Sequence, residues 1–170
     1  NWENNAKGMT EALLGVETTG GLLFNFLLVA IIPAIGEEII FRGNLQRLLT
    51  RMTGSIHAGI WIAAIIFSSI HLQFFGFLPR LFLGGLFGYL LVWSGSMWIP
   101  ILAHFINNGI AVLIMFFINN NALPEKVDEQ GAKEGQGWLI LFSVLIVSGI
   151  LWTFYQKAST SWKKDYTDGG

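Results

Sequence analysis

The sequence contains no cysteine. Disulfide bonds, thiolate nucleophiles and cysteine-ligated metal sites are therefore excluded. Charge is also scarce, since 12% of the 170 residues are charged, against about 25% in soluble globular domains. The formal net charge is -1, and the concentrated basic surface that nucleic-acid binding needs is missing. Chemistry in this chain must therefore use carboxylates, imidazoles, amides or hydroxyls.

Apolar residues take the place of the missing charge. They make up 53% of the chain, which also carries seven Trp and fourteen Phe, and Trp favours the interface between membrane and water. A helix needs about 20 apolar residues to cross a bilayer. Five stretches are close to that length, at residues 21–41, 57–76, 79–94, 98–119 and 137–156. The sequence predicts an all-α, polytopic bundle with about five transmembrane helices in contact with lipid.

One membrane domain is predicted over residues 1–170. Its parts are catalytic helices over about 21–119, an acidic loop at 120–136, the last span at 137–156 and a polar tail at 157–170. The third span is predicted to begin at Pro79 and to end at the turn of residues 94–96. Gly84 and Gly88 share one face of that span, a spacing that lets helix backbones approach closely in lipid.

The distribution of basic residues predicts the orientation, because Lys and Arg near the spans favour the cytoplasmic side. One side of the predicted bundle collects Arg42, Arg47, Arg51, Lys157, Lys163 and Lys164. The other side carries Arg80 with three lysines and most of the acids. We expect the 42–56 connection, which should leave the membrane and break at Thr53–Ser55, to be cytoplasmic.

Two adjacent carboxylates lie inside the first apolar stretch, Glu37 and Glu38. Charged groups at such depth are expensive, and they usually serve a function. Glu38 and Arg42 are four residues apart and can pair on one helix face, whereas Glu37 points about 100° away. We therefore predict that Glu38 and Arg42 support the structure and that Glu37 performs chemistry. A buried ion-pair cluster without chemistry is the alternative.

His71 is the expected neighbour of Glu37. If the first two spans are antiparallel helices joined at Gly54, residues 37 and 71 are equally far from the joint and lie at the same depth. A carboxylate beside an imidazole can act as a general base towards water. His71 would otherwise be an ordinary core histidine.

His104 and Asn108 are four residues apart and point the same way from the fourth span. An imidazole N–H and an amide N–H that converge on one point can form an oxyanion hole. Both residues could instead only bond neighbouring helices, as polar residues in membranes often do, and Asn107 is expected to be such a packing residue. His104 lies about 13 Å from the 94–96 turn at about 1.5 Å per residue, which favours a site in the cytoplasmic half of the bilayer.

Three motifs in this order resemble the CPBP family, which comprises CAAX prenyl endopeptidases and bacteriocin-processing (Abi) intramembrane proteases. The motif E-E-x-x-x-R is present as Glu37-Glu38-Ile39-Ile40-Phe41-Arg42, F-x-x-x-H as Phe67-Ser68-Ser69-Ile70-His71, and H-x-x-x-N as His104-Phe105-Ile106-Asn107-Asn108. Each motif alone is weak. Together, each on its own apolar span, they cover most of residues 30–112.

The resemblance implies an intramembrane endopeptidase that hydrolyses a peptide bond of a membrane-associated protein or peptide. It implies that Glu37 and His71 activate water, that His104 and Asn108 stabilise the oxyanion, and that Glu38, Arg42 and Phe67 support the site. No cofactor is expected from the family's metal-free members. A Zn²⁺ bound by Glu37, His71 and His104 with one open position is the alternative.

Family members typically have about eight spans, and the motifs begin on the fourth. We therefore expect that this chain lacks N-terminal helices of the family fold and that residues 2–16 are an interfacial helix or linker. A non-catalytic membrane scaffold or bacteriocin-immunity partner is the competing function. A bacterial or archaeal cell membrane is the expected location, whereas the substrate and the oligomeric state are not predicted.

Overall fold

The computed structural model describes residues 15–72 and 74–123, together with residues 8, 149, 151–153 and 155–156. Within the two long ranges all regular secondary structure is helical. Four helices follow one another: α1 (Thr19–Thr53), α2 (Ile56–Ser69), α3 (Phe74–Ser94) and α4 (Trp98–Asn119). The N-terminal half of α1 packs against α4 and its C-terminal half against α2, while α3 packs against α2 and α4. The predicted helical bundle is confirmed.

The protein is an integral membrane protein. Among the described residues, α1, most of α3 (Gly76–Ser94) and α4 are long and apolar enough to cross a bilayer, and α2 is a shorter apolar helix of 14 residues. The predicted span at 137–156 lies largely outside the described residues, as do the acidic loop, the polar tail and most of residues 2–16. The predictions made for these segments are therefore not tested by the structure.

Helix α1 changes its register twice along its length. Its α-helical turns are interrupted by two π-helical segments, Phe26–Ile31 and Ile39–Leu45. A π-helical turn inserts an extra residue and re-aims the side chains that follow it, and such turns are frequent at functional sites. The helix ends at Thr53, where Gly54 adopts a left-handed conformation with φ of 66°. The predicted break at Thr53–Ser55 is thus confirmed.

Two predicted span boundaries are wrong. Helix α2 ends at Ser69 rather than at residue 76, and it is followed by a turn in which Leu72 has φ of 52°. Helix α3 begins at Phe74 and continues through Pro79. A proline in the second turn of a helix removes one backbone hydrogen bond, and α3 continues through it. His71 therefore lies in a turn after α2 rather than inside a span.

Small residues and buried polar side chains join α1, α2 and α3. A Cβ atom on Gly84 would lie 3.1 Å from Ala64, and one on Gly88 would lie 2.8 Å from Ile60. The close packing predicted for these glycines is confirmed. Buried Gln46 of α1 donates a hydrogen bond from Nε2 to the Gly88 carbonyl oxygen at 3.3 Å.

Candidate active site

Residues from all three motifs line one cavity of about 490 Å³ between the helices. α1 contributes Glu37 to its wall, the turn after α2 contributes His71, and α4 contributes His104 and Asn108. Apolar side chains complete the wall, among them Leu28, Leu83, Phe87 and Val112. The structure thus brings the four residues with predicted catalytic roles to the wall of one cavity.

Glu38 lies beside this cavity and is fully buried. Its Oε1 accepts hydrogen bonds from Arg42 Nη1 and from His104 Nδ1, both at 2.9 Å. Arg42 also donates from Nη2 to the Gly84 carbonyl oxygen at 3.1 Å. These contacts join α1, α3 and α4. The predicted pairing of Glu38 with Arg42 is present, and the bond to His104 is a contact that the sequence did not predict.

Phe67 lies in the centre of this group. The guanidinium carbon of Arg42 is 4.7 Å from the centre of the Phe67 ring, within the range of a cation–π contact. The same ring packs edge-on against His71 and His104, with centroid distances of 5.0 and 6.2 Å. Phe67 therefore contacts the ion pair and both imidazoles, which is an arrangement suited to its predicted supporting role.

Glu37, the preceding residue of α1, points in a different direction from Glu38. Its side chain is 30% exposed, and its Oε2 lies 3.8 Å from His104 Nε2. That separation is too long for a direct hydrogen bond. Glu37 therefore presents its carboxylate to the cavity while remaining close to the imidazole.

The bond between His104 and Glu38 determines what the His104 ring can do. A carboxylate only accepts, so Nδ1 of His104 carries the proton, and Nε2 points towards Glu37. In a neutral ring Nε2 then has a lone pair and accepts a proton, whereas a doubly protonated ring donates from both nitrogens. An oxyanion role for His104 consequently requires the imidazolium form.

His71 is oriented by the last turn of α2, the helix that precedes it. Its Nδ1 lies 2.8 Å from the Phe67 carbonyl oxygen, and since a carbonyl only accepts, Nδ1 carries the proton. Nε2 therefore keeps the lone pair in the neutral ring. No hydrogen bond or ion pair joins His71 to Glu37 directly within residues 15–72 and 74–123, although both line the cavity. The space between them is where a reacting group would have to lie.

Asn108 is held by the backbone of α1. Its Nδ2 donates to the Val29 carbonyl oxygen at 3.0 Å, and its Oδ1 accepts from Asn107 Nδ2 at 3.1 Å. Pro33 lacks the N–H that would pair with that carbonyl in α-helical register, so Asn108 replaces it. An amide nitrogen has two hydrogens, and the bond to Val29 uses one of them. Asn107 is not only a packing residue, because it also lines the cavity.

Arg80 was expected on the far side of the membrane with the lysines, whereas the structure places it in the cavity wall. A signal was present, because Arg80, Leu83 and Phe87 recur at helical spacing and share one face. The predicted start of the third span at Pro79 concealed it, since that boundary put Arg80 at a helix end.

The alternative zinc site would occupy the same cavity. In the part of the chain that the structure describes, no group of three or more His, Asp and Glu side chains is arranged to hold a metal ion. His104 uses Nδ1 to bond Glu38, which leaves Nε2 as the ring nitrogen that could bind a metal ion. The zinc alternative with Glu37, His71 and His104 as ligands stays a prediction.

Comparison with known proteins identifies related sequences. The family described as type II CAAX prenyl endopeptidase Rce1-like matches residues 19–110, more than half of the chain. An uncharacterized protein of Bacillus subtilis (strain 168), YpbD, is 28% identical over 107 residues, which cover 61% of this chain and 50% of that protein. The chain thus spans about half the length of this curated relative. No solved structure matches the chain significantly.

Proposed function

Since the chain belongs to the type II CAAX prenyl endopeptidase Rce1-like family, we propose that it is an intramembrane endopeptidase acting on membrane-associated proteins or peptides. The family supports an intramembrane CAAX-type protease in general. The observation that carries the proposal is the convergence of Glu37, His71, His104 and Asn108 on one cavity inside a helical membrane protein.

Glu37 is the proposed general base. Its carboxylate takes a proton from a water molecule, and the lone pair at Nε2 of His71 accepts a hydrogen bond from the same water and orients it. The water oxygen then attacks the carbonyl carbon of the peptide bond. This division of roles rests on Glu37 being exposed to the cavity and on the Nδ1 of His71 being bonded to the Phe67 carbonyl.

The attack creates a tetrahedral intermediate with a negative oxygen. In the proposal this oxyanion accepts hydrogen bonds from Nε2 of a doubly protonated His104 and from the second Nδ2 hydrogen of Asn108. Glu37 then returns its proton to the leaving nitrogen, and the C–N bond breaks to give a carboxylate and an amine. Glu38 supports these steps, because its bond to Nδ1 fixes the orientation of the His104 ring.

The substrate is proposed to reach the cavity from the cytoplasmic half of the bilayer. Arg47 and Arg51 are exposed near the end of α1, and basic residues at a helix end favour the cytoplasm. A membrane-anchored protein or peptide would present its bond at this level. The proposed mechanism requires no metal or organic cofactor and no nucleic acid.

The test is cleavage of candidate membrane-anchored peptides by purified protein in detergent. We expect the wild type to release defined fragments and the variants Glu37→Ala and His71→Ala to lose this activity. The matched control is Glu17→Ala, which removes an exposed carboxylate that precedes α1. Full activity in either cavity variant would contradict the mechanism. An intact biological phenotype with Glu37→Gln would instead support a non-catalytic scaffold.

A further inference from the structure

We propose that the last turns of α1 form a binding surface for the headgroups of anionic phospholipids. Arg47 and Arg51 contact the phosphate groups in this proposal, while Leu48 and Met52 beside them contact the acyl chains. The surface lies away from the cavity, and its binding of lipid does not depend on peptide hydrolysis. The proposal therefore goes beyond the proposed function and assigns a partner to a part of the molecule that the catalytic steps do not use.

The first support is the length of α1. Its 35 residues extend over about 52 Å at about 1.5 Å per residue, whereas the hydrocarbon core of a bilayer is about 30 Å thick. A tilt of about 40° still leaves α1 about 40 Å tall, so one end lies among the headgroups. The first turns of α1 carry Leu22, Leu23 and Phe24, whereas its last turns carry two exposed arginines. The C-terminal end is therefore the one that leaves the hydrocarbon.

The second support is the set of aromatic side chains at the same end of the bundle. The turn at Gly54 joins α1 to α2, and His57 of α2 lies 2.8 Å from the hydroxyl oxygen of Tyr89 in α3. The Tyr89 ring stacks on Trp93, with a centroid distance of 5.3 Å. Trp98, the first residue of α4, is 72% exposed. Trp and Tyr concentrate at the interface between membrane and water, so this end of the bundle lies at the level of the headgroups.

The third support is the pattern of side chains around the last turns of α1. Gln46 is buried and faces the bundle. Arg47 and Arg51 are exposed and lie one helical turn apart, so they form a basic stripe. Leu48 and Met52 are 55% and 72% exposed and form an apolar stripe beside it. A basic stripe next to an apolar stripe is typical of helices that lie in the membrane interface.

The fourth support is the distribution of acidic residues. In the part of the chain that the structure describes, the acids are Glu17, Glu37 and Glu38. Glu17 precedes α1 at the opposite end of that helix, and the other two lie within the bundle. The described residues thus make the C-terminal end of α1 positively charged. This charge complements a phosphate group, and a guanidinium can donate two parallel hydrogen bonds to phosphate oxygens.

An acidic segment of another protein would also complement the two arginines. The lipid is favoured because Leu48 and Met52 are exposed beside them, and a phospholipid offers acyl chains to these side chains as well as a phosphate to the arginines. A soluble acidic peptide or free phosphate offers only the negative charge. The two stripes together therefore point to a lipid.

The experiment measures which lipids the purified full chain retains in dodecylmaltoside micelles that contain equal amounts of phosphatidylglycerol and phosphatidylcholine. Native mass spectrometry counts the bound lipids. We expect the wild type to prefer phosphatidylglycerol about tenfold to thirtyfold, since each arginine near an anionic surface is worth about fivefold in binding. R47Q/R51Q should lose this preference, and R47K/R51K should retain most of it. The matched control is R80Q, which removes an arginine from the cavity wall and should keep the wild-type preference.

An unchanged preference in R47Q/R51Q would overturn the proposal. The wild type supplies a test without any variant, because salt screens exposed charges, and its preference should fall as NaCl is added. A preference that is independent of salt would contradict the role of the arginines. L48S/M52S should weaken the retention of both lipids, and wild-type retention in that variant would contradict the contact with acyl chains.

Two competitors distinguish the lipid from other anions. Inorganic phosphate or a hexaglutamate peptide that displaces phosphatidylglycerol at equal concentration would overturn the assignment of a lipid headgroup. Weak displacement by both would support it. None of these measurements uses peptide hydrolysis, so a chain without peptidase activity can still confirm the lipid surface. Loss of the lipid preference would in turn leave the proposed function standing.

Discussion

Glu37 and Glu38 are neighbouring residues of the same type on α1, but their surroundings differ. Glu38 is fully buried and holds Arg42 and His104 together through one oxygen. Glu37 is 30% exposed, and its carboxylate is open to the cavity. The side of α1 that carries Glu38 is therefore a sealed, structural face. The side that carries Glu37 is an open, chemical face.

Burial and partners, rather than residue type, therefore determine the role of an intramembrane acid. A buried charge is tolerated when a partner and hydrogen bonds compensate for its lost hydration. Glu38 has both at Oε1, whereas its Oε2 is buried without a hydrogen-bond partner among the described residues. The π-helical segment that begins at Ile39 re-aims the following turn, so Arg42 bonds both Glu38 and the Gly84 carbonyl of α3.

The largest effect on stability is expected from a substitution on the sealed face. Arg42→Met leaves Glu38 as a buried charge without its cationic partner, a change that costs about 3 to 5 kcal/mol. Thermal unfolding in detergent should show a strongly lowered midpoint, whereas Arg51→Met, at an exposed arginine, should unfold like the wild type. The double variant E38Q/R42M removes both charges and should recover much of the loss. A wild-type midpoint for Arg42→Met would contradict the structural role.

The next largest effect is expected on the rate of hydrolysis, from a substitution on the open face. Asn108→Ala removes a proposed oxyanion donor and should lower kcat about 10²- to 10³-fold. Asn107→Ala removes the same amide one residue away and should lower kcat less, because Asn107 bonds the Asn108 side chain and is not a proposed oxyanion donor. Steady-state kinetics on one peptide measure both variants. Equal losses would show that Asn108 acts through packing alone.

A smaller effect is expected where α1 meets α2. A Cβ on Gly59 would lie 2.8 Å from the Thr50 backbone nitrogen, so Gly59→Ala should destabilise the protein by about 1 to 3 kcal/mol through overpacking. Gly36→Ala is the matched control, since nothing lies within 4 Å of a Cβ there, and alanine favours a helix. Thermal midpoints compare the two. A larger loss at Gly36 would contradict the packing described for α1.

The smallest effect is expected from chelation. Because the proposed steps use side chains and water, incubation with a chelator should leave the rate of peptide hydrolysis unchanged. Loss of activity that Zn²⁺ restores would contradict this proposal. It would favour the alternative in which Glu37, His71 and His104 are metal ligands.

The polar residues of the site were predictable because lipid makes them conspicuous. Glu37, Glu38, His71, His104 and Asn108 interrupt apolar stretches, and their helical spacing indicated which of them share a face. The helical class followed from composition, since spanning segments must satisfy their own backbone hydrogen bonds. The close packing at Gly84 and Gly88 was predictable for a similar reason, because small residues permit it.

Other features depend on register and tertiary contacts that periodicity does not encode. The extra residue in each π-helical segment of α1 has no simple sequence signal, and the bond from Asn108 to the Val29 carbonyl depends on where α4 crosses α1. The end of α2 was missed because apolar residues continue on both sides of the polar segment at residues 68–73, so that residues 57–76 resemble one span in length and composition. The bond between Glu38 and His104 joins residues far apart in sequence, and only packing brings them together.

The most direct test of the contrast between the two faces is a paired measurement of hydrolysis rate and thermal midpoint for Glu37→Gln and Glu38→Gln. Both variants keep side-chain size and remove one charge. We expect Glu37→Gln to lose about 10²- to 10⁴-fold in kcat at a midpoint close to wild type, while Glu38→Gln lowers the midpoint clearly. A Glu37→Gln variant that is stable and hydrolyses peptide at the wild-type rate would contradict the assignment of Glu37 to the chemical face.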